Sequence, residues 1–317
     1  MTVTWRILQG DVCERLASLP AESVQTCVTS PPYWGLRDYG HDGQIGLEST
    51  PAEYVTRLVE VFAEVHRVLR DDGTLWLNLG DSYAANRSYQ VPSTKGGPKH
   101  SDSQSAGGKG SVVPLGMKPK DLVGIPWMVA FALRDYGWYL RSEIIWHKPN
   151  PMPESVTDRP TKSHEQIFLF SKSARYYYDA EAIKEPAGAA GGNVAPVKGV
   201  GDEKMRTRNG LHMAQQRARE AGGYEGRNKR SVWTVATQPY PEAHFATYPE
   251  ALIEPCILAG SKPGDLVLDP FTGSGTTGAV AIRHQRSFIG TELNPAYIEL
   301  ARRRIGDVAP LLASEVA

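Results

Sequence analysis

The sequence predicts an α/β fold with a mostly parallel, doubly wound sheet. Short apolar runs typical of buried strands alternate with segments whose apolar residues recur at helical spacing, first at residues 5–8, 12–19, 24–28 and 54–68. The links between these segments are short, which favours parallel strands connected by helices. A glycine-rich loop at residues 270–278 lies between a strand pattern and a helix pattern, and in this fold class that position lines a ligand crevice.

The alternation continues along the chain, but two basic segments interrupt it. The further elements are strands at 74–79, 139–146, 165–171, 266–269 and 287–290, and helices at 125–136 and 279–284. Residues 84–120 carry six Lys/Arg against one Asp, and residues 183–232 carry ten Lys/Arg against five Asp/Glu. In a chain of zero net charge, these segments indicate contact with a polyanion, and solvated linkers are the alternative.

The composition is that of a globular protein from a reducing compartment. Of the 317 residues, 41% are hydrophobic, and no apolar run is long enough to cross a membrane. The three cysteines are scattered, which argues against disulfides and predicts a cytoplasmic location. The eight histidines are dispersed, and no Cys/His spacing matches a metal site. We therefore expect neither a membrane partner nor a bound metal.

The loop at residues 29–34, Thr-Ser-Pro-Pro-Tyr-Trp, follows the predicted strand at 24–28. Each proline fixes its own φ and lacks an N–H, so this backbone accepts hydrogen bonds but donates few. Ser30 Oγ and the Pro31 carbonyl are placed to accept both N–H bonds of one exocyclic amino group, and the Tyr33 ring offers a stacking face. These features predict a pocket for a flipped-out nucleobase that carries an amino group. A proline-rich turn with a core tyrosine is the alternative.

The glycine-rich loop predicts a nucleoside cofactor. Gly273, Gly275 and Gly278 satisfy the pattern G-x-G-x-x-G between a strand and a helix. Glu292 follows Gly273 by 19 residues, close to the roughly 20 at which an acidic side chain meets a ribose. Asp269 directly precedes the loop, where a carboxylate suits the ammonium of a methionine moiety and would repel a pyrophosphate. S-adenosylmethionine therefore fits better than a dinucleotide.

Together these motifs resemble those of the amino-directed DNA methyltransferases, which modify cytosine N4 or adenine N6. In that family a [DNS]-P-P-[YF] motif holds the target amino group and an F-x-G-x-G motif holds S-adenosylmethionine; here they are residues 30–33 and 271–275. The catalytic motif comes first, with a basic segment between the two, which is the circularly permuted order of the family's β group. The resemblance implies a Rossmann-like S-adenosylmethionine-dependent methyltransferase fold with an inserted target-recognition region.

The resemblance also implies site residues and a domain organisation. The expected catalytic residues are Ser30, Pro31, Pro32 and Tyr33. The expected cofactor-binding residues are Asp11, Phe245, Asp269, Pro270, Phe271, Gly273, Gly275, Thr276, Thr277 and Glu292. For Asp11, at the end of the first strand, a simple helix N-cap is the alternative. The expected parts are a catalytic half at 1–83, a flexible basic loop at 84–120, the methyltransferase domain continued at 121–182, a target-recognition region at 183–232, a cofactor-binding half at 233–308 and a tail at 309–317.

The first residue of the catalytic motif bears on the target base. Serine is typical of cytosine-N4 enzymes in the family, whereas adenine-N6 enzymes more often carry aspartate. We therefore expect site-specific methylation of cytosine N4 in double-stranded DNA, and adenine N6 is the alternative. A cognate restriction endonuclease is a possible partner, and both monomer and homodimer stay open. Two rivals lie outside this activity: a nicotinamide-dependent oxidoreductase, favoured by the glycine motif alone, and a non-catalytic DNA-binding protein.

Overall fold

The computed structural model describes residues 3–35, 41, 43–84, 117–185, 226–238, 247–308 and 313–316. Its strands form one sheet in the order β6-β4-β5-β3-β2-β7-β8-β1-β9. The strands are β1 Val3–Gln9, β2 Val24–Thr29, β3 Leu69–Leu79, β4 Tyr139–His147, β5 His164–Ser171, β6 Val232–Thr234, β7 Leu266–Asp269, β8 Ser287–Glu292 and β9 Ala313–Glu315. The helices are α1 Val12–Ala17, α2 Pro51–Val68, α3 Ile125–Tyr136, α4 Glu250–Gly260, α5 Thr276–Arg283 and α6 Pro295–Gly306.

The sheet confirms the predicted α/β class. All its neighbouring strands pair in parallel except β5, which runs antiparallel to both β3 and β4. The largest boundary difference from the sequence prediction is in β3, which begins at Leu69 directly after α2, five residues before the predicted start at residue 74. The backbone of Leu69 is already extended and pairs with Val24. Asp71 and Asp72 therefore lie inside the strand.

Helix α2 shows how the sequence fixes these elements locally. Thr50 caps its first turn, and the Glu53 side chain accepts from the Thr50 backbone in return, so the backbone N–H groups of these two residues are satisfied. Pro51 occupies the first turn, where its missing N–H costs nothing. The residues at helical spacing, among them Leu58 and Phe62, are fully buried in the core against the sheet.

The chain divides into two compact units, one comprising residues 1–178 and 231–317 and the other residues 179–230. The first unit contains the whole described sheet. In the described part of the second unit, a short 3₁₀ turn at Glu181–Ile183 precedes Glu185, which forms ion pairs with Arg227 and Arg230. Most of the two predicted basic segments lies outside the described residues. None of the helices that the model describes has the length and apolar character needed to cross a membrane.

The ends of the strands place the predicted motifs at one edge of the sheet. Strands β1, β2, β3, β4, β7 and β8 run in the same direction, so their carboxyl ends share this edge. Because β5 is antiparallel, its amino end lies there too. Side chains at this edge therefore come from seven adjacent strands, which stand about 4.8 Å apart.

The third glycine of the loop allows α5 to pack closely on the sheet. A Cβ at Gly278 would lie 2.4 Å from Ile305 and 2.8 Å from Phe288. We predict that Gly278→Ala lowers the free energy of unfolding by about 1–3 kcal/mol, the usual cost of overpacking a core. Denaturant unfolding measures this value. The matched control is Gly306→Ala, because a Cβ there meets nothing within 4 Å; equal stability of the two variants would contradict the packing role.

Candidate active site

The catalytic and glycine-rich motifs, almost 240 residues apart in the chain, lie on adjacent strands. Strands β2 and β7 pair in parallel at Thr26↔Val267 and Cys27↔Leu268. Two residues further along, Thr29 Oγ1 donates a 2.6 Å hydrogen bond to Asp269 Oδ1. Ser30 follows Thr29 directly, so the first residue of the catalytic motif stands beside the strand that leads into the glycine-rich loop.

Asp269 is the centre of this junction. Its Oδ1 accepts from Thr29 Oγ1 and from the Phe271 N–H, and its Oδ2 accepts from Thr277 Oγ1 and Tyr248 Oη, at 2.6 to 3.1 Å. Only 1% of the residue is exposed. Burial raises the pKa of its carboxyl, whereas the four hydrogen bonds lower it. All four donors belong to the protein. The expected contact of Asp269 with a methionine ammonium stays a prediction, and it requires one of these donors to give way.

The glycine-rich loop has the backbone geometry that its sequence predicts. Gly273 and Gly275 both have positive φ, at 49° and 79°. A Cβ at Gly275 would lie 2.9 Å from Ala301, whereas one at Gly273 would meet only a carbonyl at 3.9 Å. The Gly273 backbone is thus open to the approach of a ligand, while Gly275 is closed by helix α6. This difference matches the two roles of glycine in nucleoside-binding loops.

Glu292 ends β8 beside that open backbone. Its Oε2 accepts from the Gly273 N–H at 2.8 Å and its Oε1 from the Asn294 N–H at 2.9 Å. Burial raises the pKa of this carboxyl, although hydrogen bonds from the backbone N–H groups of Asn294, Gly273 and Leu293 oppose the effect. An ionised carboxylate has about four lone-pair sites, so it can accept from ribose hydroxyls in addition to these backbone groups.

The other predicted cofactor-binding residues differ in how far they are exposed. Asp11 caps α1 through bonds from the Cys13 and Glu14 N–H groups, so the capping alternative describes its position in this structure. Thr277 is fully buried and donates to Asp269, and Thr276 is 3% exposed. Pro270 is buried, Phe271 is half-buried, and Phe245 lies outside the described residues. Direct cofactor contact by these side chains stays a prediction.

Helix α6 ties the glycine-rich loop to the first residue of α4. Arg304 Nη1 donates to Thr276 Oγ1 at 2.8 Å and to Ser274 Oγ at 3.1 Å, and its Nη2 pairs with Glu250 at 2.9 Å. Tyr248, two residues before Glu250, reaches Asp269 at the other side of the loop. Arg304 could not be predicted from the sequence, because a single arginine in a helical pattern has no distinguishing signal.

The catalytic loop holds Tyr33 in a fixed orientation. A Cβ at Gly80 would lie 2.4 Å from Tyr33 Cε2, so the ring rests against a backbone without a side chain. The Tyr33 hydroxyl donates to Glu165 Oε2 at 2.8 Å, and Tyr54 Oη donates to the Pro32 carbonyl at 2.9 Å. Tyr33 keeps partial exposure, whereas the neighbouring Trp34 is 5% exposed in the core. An immobile ring of this kind suits base stacking.

A polar network that the sequence does not predict lies beside Ser30. Asn78 Nδ2 is 2.7 Å from Tyr33 Oη, 3.0 Å from Glu165 Oε2 and 3.3 Å from Ser30 Oγ. Lys148 forms an ion pair with Glu165, and both side chains are mostly buried. Asn78 and Glu165 stand within apolar strand patterns that give no sign of a site.

The described residues suit S-adenosylmethionine at the cofactor side. The backbone at Gly273 is open, and the Glu292 carboxylate lies beside it. Within the described chain, no cationic side chain is among the hydrogen-bond partners of Asp269 and Glu292. A pyrophosphate would meet two acidic groups here without compensation. S-adenosylmethionine carries a positive sulfonium and an ammonium group, for which this environment is favourable.

Comparisons with known proteins agree with this geometry. A family model described as DNA methylase, covering N6 and N4 methyltransferases, matches residues 24–303. The Type II methyltransferase M.Cfr9I of Citrobacter freundii is 49% identical over 300 residues, which cover 94% of this chain and 87% of that protein. The Type II methyltransferase M.SmaI of Serratia marcescens is 48% identical over 306 residues, which cover 95% and 90%.

Solved structures show the same fold at lower identity. The PvuII DNA methyltransferase (cytosine-N4-specific) superposes with a TM-score of 0.62 at 20% identity, covering 99% of this chain and 96% of that one. TTHA0409 of Thermus thermophilus, a putative DNA modification methylase in complex with S-adenosyl-L-methionine, gives a TM-score of 0.59 at 24% identity, with coverage of 98% and 99%.

The position of Glu292 predicts its effect on cofactor affinity. We expect Glu292→Ala to raise the dissociation constant for S-adenosylmethionine about 10- to 100-fold, because it removes hydrogen bonds to a charged group that are each worth about 1.5–3 kcal/mol. Isothermal titration calorimetry measures the constant. Glu299→Ala is the control, since Glu299 is exposed and pairs with Arg302 on α6. An unchanged constant in the Glu292 variant would rule out its ribose contact.

Proposed function

The chain belongs to the N6/N4 family of DNA methylases, and we propose that it transfers a methyl group from S-adenosylmethionine to cytosine N4 in double-stranded DNA. Membership in this family removes the nicotinamide-dependent oxidoreductase from consideration. It leaves the target base, the mechanism and the partners as parts of the proposal.

One observation carries the proposal: the Thr29–Asp269 hydrogen bond, which sets Ser30 beside the strand that enters the glycine-rich loop. A methyl transfer needs donor and acceptor in one water-poor crevice, in line and in contact. The proposed acceptor site and the proposed donor site occupy neighbouring strand ends, about one strand spacing apart. This arrangement also disfavours a non-catalytic DNA-binding protein, which has no need to align two such sites.

The residues at the target side act by orientation and hydrogen bonding. The lone pair of an aromatic amine is delocalised into its ring, which makes the nitrogen a poor nucleophile. Ser30 Oγ and the Pro31 carbonyl accept its two N–H bonds and favour a pyramidal nitrogen whose lone pair is localised. Tyr33 stacks on the flipped base, a contact worth about 1–3 kcal/mol. The bound cofactor supplies an electrophilic methyl group on a sulfonium.

The choice of cytosine over adenine rests on Ser30. In the family this motif resembles, serine at this position is typical of cytosine-N4 enzymes. A serine hydroxyl is a neutral acceptor that can also donate its own proton, whereas an aspartate adds a full negative charge. Because Glu165 already supplies a carboxylate within hydrogen-bond range of Tyr33 and Asn78, a second carboxylate at position 30 would face repulsion in a half-buried site.

The remaining parts of the proposal concern DNA binding. Residues 183–232 read the DNA sequence, and the basic residues of 84–120 neutralise phosphates. Since M.Cfr9I and M.SmaI are Type II methyltransferases, the protein protects DNA against a cognate restriction endonuclease. The location is cytoplasmic, as the composition predicts.

Substitution of Ser30 tests the proposed catalytic role of its hydroxyl group. We expect Ser30→Ala to lower the single-turnover rate constant of methyl transfer about 10²- to 10³-fold, the usual effect of removing one preorganised hydrogen-bonding group. The dissociation constant for S-adenosylmethionine should change less than twofold. Ser23→Ala is the control, because Ser23 precedes the same strand at its opposite end. A Ser30 variant as active as the wild type would remove this hydroxyl from the mechanism.

Identification of the product decides the target base. DNA methylated by the wild-type protein with labelled S-adenosylmethionine is digested to nucleosides, which are separated and identified by mass. We expect N4-methyl-2′-deoxycytidine as the labelled nucleoside. Labelled N6-methyl-2′-deoxyadenosine would mean that the same site acts on adenine instead of cytosine. An absence of label in DNA would contradict the proposed activity.

A further inference from the structure

A chain of hydroxyl groups leads from Ser30 to the mostly buried carboxylate of Glu165. Ser30 Oγ donates towards Tyr33 Oη at 3.5 Å, and Tyr33 Oη donates to Glu165 Oε2 at 2.8 Å. The first distance is long, but hydrogen bonds of this kind often tighten only when substrate binds. Both bonds have the same direction, so that each hydroxyl passes its proton away from the target pocket and towards Glu165.

We propose that this chain is a proton relay and that Glu165 is the acceptor of the proton released by the target amine. The inference rests on the proposed transfer to an exocyclic amine and goes beyond it. After the transfer, the nitrogen holds a new methyl group, two protons and a positive charge, so it is strongly acidic. One of its protons bonds to the Pro31 carbonyl, which cannot pass a proton further. The other bonds to Ser30 Oγ.

The relay balances in three proton shifts. The amine nitrogen forms a bond to the methyl carbon, and the electron pair of the broken carbon–sulfur bond stays on sulfur. The nitrogen then gives one proton to Ser30 Oγ, Ser30 gives its hydroxyl proton to Tyr33 Oη, and Tyr33 gives its own to Glu165. The two hydroxyls are regenerated, the base is neutral, and Glu165 is a neutral acid that later loses its proton to water.

The surroundings of Tyr33 suit this task. Burial, together with the Glu165 carboxylate, raises the pKa of Tyr33 well above its ordinary value, so it stays a phenol that can give one proton and accept another. Asn78 donates to both Tyr33 Oη and Glu165 Oε2 and so holds the two in register. Asn78 Nδ2 also lies within donating distance of Ser30 Oγ, at 3.3 Å, so it contacts all three members of the chain from Ser30 to Glu165.

The charge of Glu165 is set by a small number of neighbours. Among the described residues, Lys148 pairs with it from the end of β4, Lys162 faces it from the segment before β5, and Tyr33 contacts it from the loop after β2. Burial lowers the pKa of Lys162. A mostly buried Lys148–Glu165 pair is poor evidence for stability, since desolvation offsets much of its attraction. The proposed role of Glu165 as a proton acceptor beside the target pocket accounts for the Lys148–Glu165 pair.

Two variants interrupt the relay at different points. Tyr33→Phe keeps the ring on Gly80 and removes the hydroxyl, and Glu165→Gln keeps the shape of the acceptor and removes its basicity. We expect each to lower the single-turnover rate constant about 10- to 100-fold at saturating cofactor and DNA, within the usual range of acid–base effects. Tyr139→Phe is the control, because Tyr139 is exposed at the far end of β4. The wild type, assayed in parallel, tests the proposed function separately.

The pH profile distinguishes a relay from a merely structural role. In the wild type the rate constant should fall as pH decreases, because protonated Glu165 cannot accept, and in Glu165→Gln it should be low and flat over the same range. Base flipping, measured with 2-aminopurine at the target position, should be unchanged in both variants. A further measurement needs no turnover. The absorbance titration of the Tyr33 phenol at alkaline pH is obtained as the difference between a protein with Tyr33 and the Tyr33→Phe variant. It should shift to lower pH in Glu165→Gln, because the neighbouring carboxylate raises the pKa of Tyr33.

Three results would overturn the relay. They are a Tyr33→Phe rate constant within twofold of the wild type, a Glu165→Gln profile that keeps the wild-type acid limb, and a loss of rate fully explained by weaker flipping. If Glu165→Gln fails to fold, Tyr33→Phe alone decides, because its packing on Gly80 is preserved.

Discussion

The hydrogen bond between Thr29 and Asp269 is the contact on which the site depends. The catalytic motif stands near the beginning of the chain and the glycine-rich loop near its end, so the circularly permuted order gives them no local connection. Strands β2 and β7 pair over only two positions, and the 2.6 Å bond extends that pairing by one more side-chain contact. It is fully buried, where a charge-assisted bond is strongest and its loss most costly.

The cofactor half of the site could be predicted from the sequence because its requirements are local. Two glycines have positive φ and the third accommodates Ile305 and Phe288, and each of these constraints acts on a residue type at a fixed spacing. Glu292 follows from the same spacing, since it ends the next strand. The α/β class was predictable for a similar reason, because its alternating apolar periods are read within each segment.

The target half could be predicted only in part, because it is assembled across strands. Ser30 and Tyr33 were identified from their motif, but Asn78 and Glu165 come from β3 and β5, and their proximity arises from antiparallel pairing of Asn78 with Ile167. Nothing in the sequence around residue 165 indicates that the strand reverses direction and brings its amino end to the active edge. The same limitation applies to Asp269, for which the sequence predicted a ligand contact and the structure shows four protein donors.

The carboxylates of Asp269 and Glu165 create two different electrostatic environments along one edge of the sheet. Asp269 accepts three hydroxyls and a backbone N–H and has no cation among those partners, so it holds the junction and favours a positive ligand nearby. Glu165 is paired with Lys148 and has a phenol as a donor, so its negative charge is compensated and directed to the target side. A cationic side chain near Asp269 would repel a sulfonium, whereas one near Glu165 is remote from the cofactor strands. The strand order, with β3 and β2 between β5 and β7, keeps these two environments apart.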